Sequence, residues 1–216
     1  HNTELGLDHL MASVAIPYIF PPQRVGNEYF GDGAMRQATP LSAAVHLGAD
    51  RILVIGIRDE TGGIEPDLAG TSPGFGQIAG YMLDTLFMDG LYSDLERVTR
   101  INDLIDSIPE GHLEVGDRRF RPIDTMLIVP SQDVRELAEK HYMELPFSVR
   151  ALLRGVGGRS PGENKLMSFL MFEAAYARDL IKLGYNDAMN VRDELQAFVS
   201  GADVPRLFAP SWIKRD

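Results

Sequence analysis

Apolar residues recur at Leu7, Leu10, Met11 and Val14, the one-face spacing of a helix, and Pro17 marks where such a helix must stop. Phe20-Pro21-Pro22 then forces extended chain. Val25 and Glu28-Tyr29-Phe30 flank Gly26-Asn27, which predicts a tight hairpin. The second arm runs into Gly31-Asp32-Gly33, where an acid held between two glycines predicts a sharp turn presenting one carboxylate, since glycine reaches backbone angles that other residues avoid. Thr39 as N-cap, Pro40 at the first helical position and Gly48 at the end punctuate the next helix. Arg51 to Ile57 is a continuous apolar run after a single charge, the pattern of a strand buried on both faces. Thr125 to Val129 is a second such strand, closed by Pro130.

Between these strands the polarity changes twice. Asp59 to Gly76 is rich in Gly, Pro and acid and predicts an exposed loop. Ile78 to Ile105 predicts a helix interrupted near Gly90, with Tyr81, Leu83, Leu86, Phe87, Met88 and Leu91 turned to the core. His112 to Ile123 predicts a strand pair turning at Gly116-Asp117. After Ser131 the pattern is helical to the end, over 131–143, 147–153, 161–183 and 187–199, with Gly184 and Gly201 as stops. These elements predict an α/β chain with helices on both sides of a largely parallel sheet. No repeat or low-complexity segment divides it, so residues 1–216 are expected to form one domain with a mostly helical tail from about residue 131.

Composition narrows the chemistry. A net charge of −10 argues against nucleic acid, which requires clustered Lys and Arg. The one basic cluster, Arg118-Arg119-Phe120-Arg121, fits the solvated face of a hairpin. The same balance disfavours purely electrostatic attachment to anionic lipid. With no cysteine there is neither a disulfide nor a cysteine–zinc site, and the five histidines show no metal-ligand spacing, so no metal or other cofactor is expected. No stretch reaches the ~18 uninterrupted apolar residues of a membrane span.

Two motifs mislead. Gly158-Arg159-Ser160-Pro161-Gly162 has the letters of the G-x-S-x-G nucleophile elbow. The elbow needs a strand before the serine and a backbone N–H on the residue after it, and proline has none to offer. Ser160 as N-cap with Pro161 and Glu163 forms a capping box instead. Gly31-Asp32-Gly33 also resembles the metal loop of haloacid-dehalogenase-like phosphatases. Ala34-Met35-Arg36 supplies no further acid there, and no Asp-x-Asp motif precedes it.

The block from Ala12 to Ile57 accounts for more. Ala12-Ser13-Val14-Ala15-Ile16-Pro17-Tyr18-Ile19-Phe20-Pro21-Pro22 resembles the patatin-like phospholipases and lipid acyl hydrolases. So do Tyr29-Phe30-Gly31-Asp32-Gly33-Ala34, then Pro40-Leu41 and Leu47 to Ile55, with weaker similarity at Arg121 to Asp124 and Leu183-Gly184-Tyr185. The resemblance implies a three-layer α/β/α fold and a Ser–Asp dyad acting on lipid esters. It places the general base at Asp32, with Gly31, Gly33 and Ala34 completing the motif. The chain departs from the family at Gln37-Ala38-Thr39-Pro40, where relatives often carry asparagine two residues before the proline.

In that family a glycine-rich oxyanion loop and the serine elbow both precede the aspartate motif. The chain opens on His1-Asn2-Thr3-Glu4-Leu5 and leads straight into apolar sequence, so it is expected to be the C-terminal part of the domain, with the nucleophilic serine upstream. Such a piece alone is expected to be inactive. Its sheet would need a second copy or a companion chain carrying the N-terminal half. The resemblance further implies a cytoplasmic or peripheral membrane setting, with contact to membrane or micelle. The alternative, from a different class, is a non-catalytic binding or assembly chain that keeps the fold.

Overall fold

In the computed structural model of the chain, residues 4–17, 19–35, 39–57, 75–109, 114–115, 118–157, 163–202 and 204–213 are described. They fall into two compact units, His1–Pro40 and Leu41–Asp216.

The first unit builds from a helix and a hairpin. Helix α1 (Leu7–Ser13) packs on strand β1 (Gln23–Val25), which pairs antiparallel with β2 (Glu28–Phe30) in the register Val25↔Glu28. Gly26 takes the left-handed φ of 63° that a two-residue hairpin loop demands at its first position. Ala12 and Ala15 are buried, whereas Leu7, Leu10, Met11 and Val14 lie exposed, so the apolar spacing that marked the helix faces outward. A one-turn 3-10 helix over Gly33–Met35 follows β2.

The second unit opens with a short helix α2 (Ser42–His46) and strand β3 (Arg51–Ile55). Thr39 and Pro40 do not start α2; Leu41 is its N-cap, with no side-chain cap of its own. The Leu41 N–H donates instead to buried Asp94 Oδ2 at 3.0 Å. A carboxylate from a distant helix has replaced the local cap. Gly48, at φ 82°, ends the segment as expected.

Helix α3 (Phe75–Ser107) runs unbroken through Gly90, so the expected interruption there is absent. Its Leu91 packs against the sheet and Leu83 is half-buried, while the side chains of Tyr81, Leu86, Phe87 and Met88 lie outside the described set. Strands β4 (Glu114–Val115) and β5 (Arg118–Arg119) form the expected small hairpin, and the 59–74 loop lies outside the described residues.

Strand β6 (Asp124–Ile128) then pairs parallel to β3, with Arg51↔Asp124 and Ile55↔Ile128 in register. Helices α4 (Val134–Lys140), α5 (Phe147–Gly157), α6 (Glu163–Leu170), α7 (Ala174–Asn190) and α8 (Arg192–Ser200) follow. The chain closes on a strand that the pattern did not announce. β7 (Leu207–Phe208) pairs parallel to the other side of β6, giving the order β3-β6-β7. Gly184 lies inside α7 and stops nothing; the expected break comes instead at Val191, between α7 and α8, and a further break at residues 171–173 divides the stretch expected to be one helix over 161–183.

The mixed α/β class with a parallel sheet is therefore present, and its side chains sort into layers. Ile52, Val54, Leu127 and Val129 project to one face, where Leu41 and Leu95 of α3 cover them. Met126 projects to the other, under Val191 and Phe198 of the α8 segment. A third apolar cluster, including Leu137, Leu153, Met167 and Tyr176, holds α4 to α7 together. β3 departs from expectation: it alternates, and Leu53 (40% exposed) and Ile55 (75% exposed) stay uncovered on the α8 side. Among the described strands β6 alone has a neighbour on each edge, and its Leu127 and Met126 are covered on opposite faces by the two clusters.

Polar clamps fix the ends of β6. Buried Asn102 of α3 accepts from the Ile123 N–H at 3.0 Å and donates to the Ile123 carbonyl at 2.9 Å, standing in for a strand partner. Beyond the strand, buried Asp187 accepts from Ser131 N–H at 2.9 Å and from Ser131 Oγ at 2.6 Å. Trp212 Nε1 donates to the Val129 carbonyl at 3.2 Å. Arg51 closes the C-terminal end of α8, giving N–H bonds to the carbonyls of Phe198 and Ala202, both at 2.8 Å.

In the helical part, His141 follows α4 with its side chain 11% exposed, Nδ1 lying 3.0 Å from Glu144 Oε1 and Nε2 3.0 Å from Asp179 Oδ2. The Glu144 hydrogen bond, with the Asp179 bond adding to it against partial desolvation, raises its pKa above the ordinary 6.5. Both ring nitrogens facing carboxylates suits the doubly protonated imidazolium.

Two outcomes follow from these contacts. Asn102→Ala strands both polar groups of Ile123 and is expected to cost about 2–3 kcal/mol in denaturant unfolding; a loss under about 0.5 kcal/mol would show that the clamp is incidental. For His141 the folded pKa is the higher one, so its stabilisation is complete below about pH 6.5 and disappears as pH rises through the raised value. Wild type is therefore expected to lose more Tm than His141→Gln between about pH 5.5 and pH 8, and parallel pH profiles would contradict it.

Candidate active site

Asp32 sits where β2 gives way to the 3-10 turn, and the main chain holds it at two points. Its own N–H donates to the Ala15 carbonyl at 2.9 Å, tying the end of the hairpin to the stretch after α1. Its Oδ1 accepts from the Ala34 N–H at 2.8 Å, an aspartate capping the turn that follows it. Among the described residues Oδ2 takes no hydrogen bond. The residue is half-buried, and its carboxylate is oriented through one oxygen.

The flanking glycines play a different part from the one expected. Neither Gly31 nor Gly33 has a positive φ, so the turn does not depend on backbone angles reserved for glycine. Gly31 instead lies against the preceding loop, where an added Cβ would stand 3.4 Å from the Ala15 carbonyl oxygen and 4.0 Å from Pro17 Cγ. An added Cβ at Gly33 would meet nothing within 4 Å. Tyr29 and Phe30 of the preceding strand β2 are exposed. The sequence reasoning overlooked Ala15, because a residue that acts through its carbonyl leaves no side-chain signal.

The candidates expected to play no catalytic part divide between seen and unseen. Ser160 and its elbow-like motif lie outside the described residues. His46 ends α2 with Nδ1 2.7 Å from the Ser42 carbonyl oxygen, an intrahelical contact. Among the described residues no group of three His, Asp or Glu is placed to hold a metal ion, and no helix is long and apolar enough to cross a membrane. No serine hydroxyl lies within hydrogen-bond reach of the Asp32 carboxylate among the described residues.

A carboxylate fixed through one oxygen can accept a proton at the other from a nucleophile placed beside it, or can serve as a cap alone. The family model described as Patatin-like phospholipase matches residues 1–45, the stretch that contains Asp32. No curated protein and no solved structure matches the chain.

Proposed function

We propose that the stretch around Asp32 is the aspartate half of a serine acyl hydrolase acting on lipid esters, with Asp32 as general base and the serine supplied by polypeptide outside these 216 residues. What carries the reading is the Asp32 carboxylate itself, oriented by the Ala34 N–H at Oδ1, with no hydrogen bond from a described residue at Oδ2, and set within the segment that the patatin-like family model matches.

A serine hydroxyl is a weak nucleophile until a base takes its proton, and a positioned carboxylate does this without histidine. Oδ2 of Asp32 would receive that proton as the serine oxygen bonds to the acyl carbon. The proton then passes to the departing alcohol as the ester bond breaks. Water repeats the cycle on the acyl-serine, giving its proton to Asp32 and releasing the fatty acid with the serine restored. A Cβ placed at Gly33 would meet nothing within 4 Å, which suits the approach of an ester to the base. Exposed Leu7, Leu10 and Met11 on α1 and Tyr29 on β2 suit contact with a membrane or micelle surface.

A second reading has its own support. Asp32 already does structural work as a cap, which a non-catalytic binding or assembly chain would also need. Partner association is part of both readings. Parallel sheets are ordinarily covered on both faces, yet Leu53 and Ile55 of β3 lie bare on one. We propose that a second copy or a companion chain completes the sheet there.

Asp32→Asn keeps an oxygen for the Ala34 N–H, so the variant is expected to fold. In protein carrying both halves it should lose about a hundred-fold or more in turnover of short acyl esters. A fluorophosphonate should label a serine in that complete protein and none in this chain. Full turnover by the variant would remove Asp32 from the mechanism and favour the assembly reading. In sedimentation, the chain alone is expected to self-associate, and Leu53→Lys with Ile55→Lys to reverse it. A stable monomer throughout would show that the bare face needs no cover.

A further inference from the structure

A cavity of about 300 Å³ opens between α8 and the β6–β7 side of the sheet, wholly within the second unit. Its floor is apolar, formed by Met126, Phe198, Val204 and Phe208. Two acids, Asp193 and Glu194, also line it, from the first turn of α8. The floor residues are buried or half-buried while both acids are exposed, so the carboxylates form an outer rim over an apolar interior. Neither acid makes a hydrogen bond or ion pair with any described residue.

That division of polarity selects a ligand. We propose that this cavity binds a small organic cation, with an aliphatic or aromatic body on the Met126–Phe208 floor and an ammonium group between Asp193 and Glu194. The volume stands at the small end of ligand pockets and suits a body of a few carbons. The acids also complement the N-terminal dipole of α8, but that dipole amounts to about half a positive charge against two full negative ones. The Arg51 guanidinium lies over the Phe198 ring, 5.7 Å from its centroid, but is engaged by Asp124 and by the carbonyls that end α8, so the two carboxylates set the charge of the rim. The chain's net charge of −10 adds attraction for a cation. The ligand is a free amine, not a choline- or ethanolamine-type lipid headgroup. In such a headgroup the phosphate beside the ammonium would be pressed against the same two carboxylates.

The chain's single tryptophan supplies the readout. Trp212 packs against the cluster of Met126, Phe198, Val204 and Phe208 that floors the cavity. Hexylammonium, hexanol, hexanoate and phosphocholine would each be titrated into the protein while Trp212 fluorescence is followed. Hexylammonium should give a saturable change, with hexanol at least about five-fold weaker and with hexanoate and phosphocholine giving none. Asp193→Asn with Glu194→Gln should bring hexylammonium down to the level of hexanol, and Ala197→Leu, which fills the cavity from α8, should weaken both. Equal binding of amine and alcohol would overturn the proposal, as would phosphocholine binding as well as the amine, or no saturable signal from the wild-type protein. None of these readouts involves Asp32.

Discussion

Strand β6 has to be satisfied on every side at once, and most of the second unit is the means of doing so. Thr125, Met126 and Leu127 are each at most 3% exposed, so no water can pair the strand's backbone, and every N–H and C=O along it needs a protein partner. β3 supplies one edge and β7 the other. Where those neighbours give out, side chains take over: Asn102 at Ile123, Trp212 at Val129 and Asp187 at Ser131. The strand is parallel to both neighbours, and parallel neighbours cannot be joined by a tight turn. Long crossovers are therefore obligatory, and these are what α3 and the α4–α8 succession provide. Two of the clamps come from the crossovers themselves, so the connection and the capping of β6 are one arrangement.

The strands that carry this constraint were legible because burial writes itself into composition. Thr125 to Val129 reads as a core strand and is one. Arg51 to Ile57 reads the same way, but its strand, Arg51–Ile55, has one neighbour among the described residues and a bare face, since an apolar run records what a strand is fit to pack against, not what lies there. β7 was not legible: two residues cannot show a period, and Leu207-Phe208 becomes a strand only because β6 offers an open edge.

Glycines show the same limit from another side. Gly184 and Gly201 look alike as helix stops in the sequence, yet Gly184 sits inside α7 and Gly201 ends α8 with φ 82°. A glycine within a helix costs only about 1 kcal/mol, which the packing of α7 against its neighbours can offset. At Gly201 the decision comes from Arg51, well over a hundred residues earlier, whose guanidinium takes the carbonyls of Phe198, Gly201 and Ala202. The N-terminus of α2 repeats the lesson. Thr39 had the right chemistry for a cap, but Asp94 had the right position. Local signals name residues able to do a job, and tertiary contacts choose among them.

Asp32 lies in the turn that its motif predicts, between strand β2 and a one-turn 3-10 helix. The motif alone placed an acid in a turn, and the structure adds that the turn is held without unusual glycine backbone angles. Its Oδ1 is engaged by Ala34 and its N–H by Ala15, so two main-chain contacts set the direction in which Oδ2 is presented. In the proposed role, a base that must meet a serine supplied from elsewhere would gain from such an arrangement. Its orientation is fixed within one small unit, before any partner arrives, and the ordering entropy is not left to the moment of binding. Capping and catalysis are then compatible uses of the same side chain, because they draw on different oxygens. What separates them physically is charge: an amide can replace the carboxylate as a cap, but it cannot take up a serine proton.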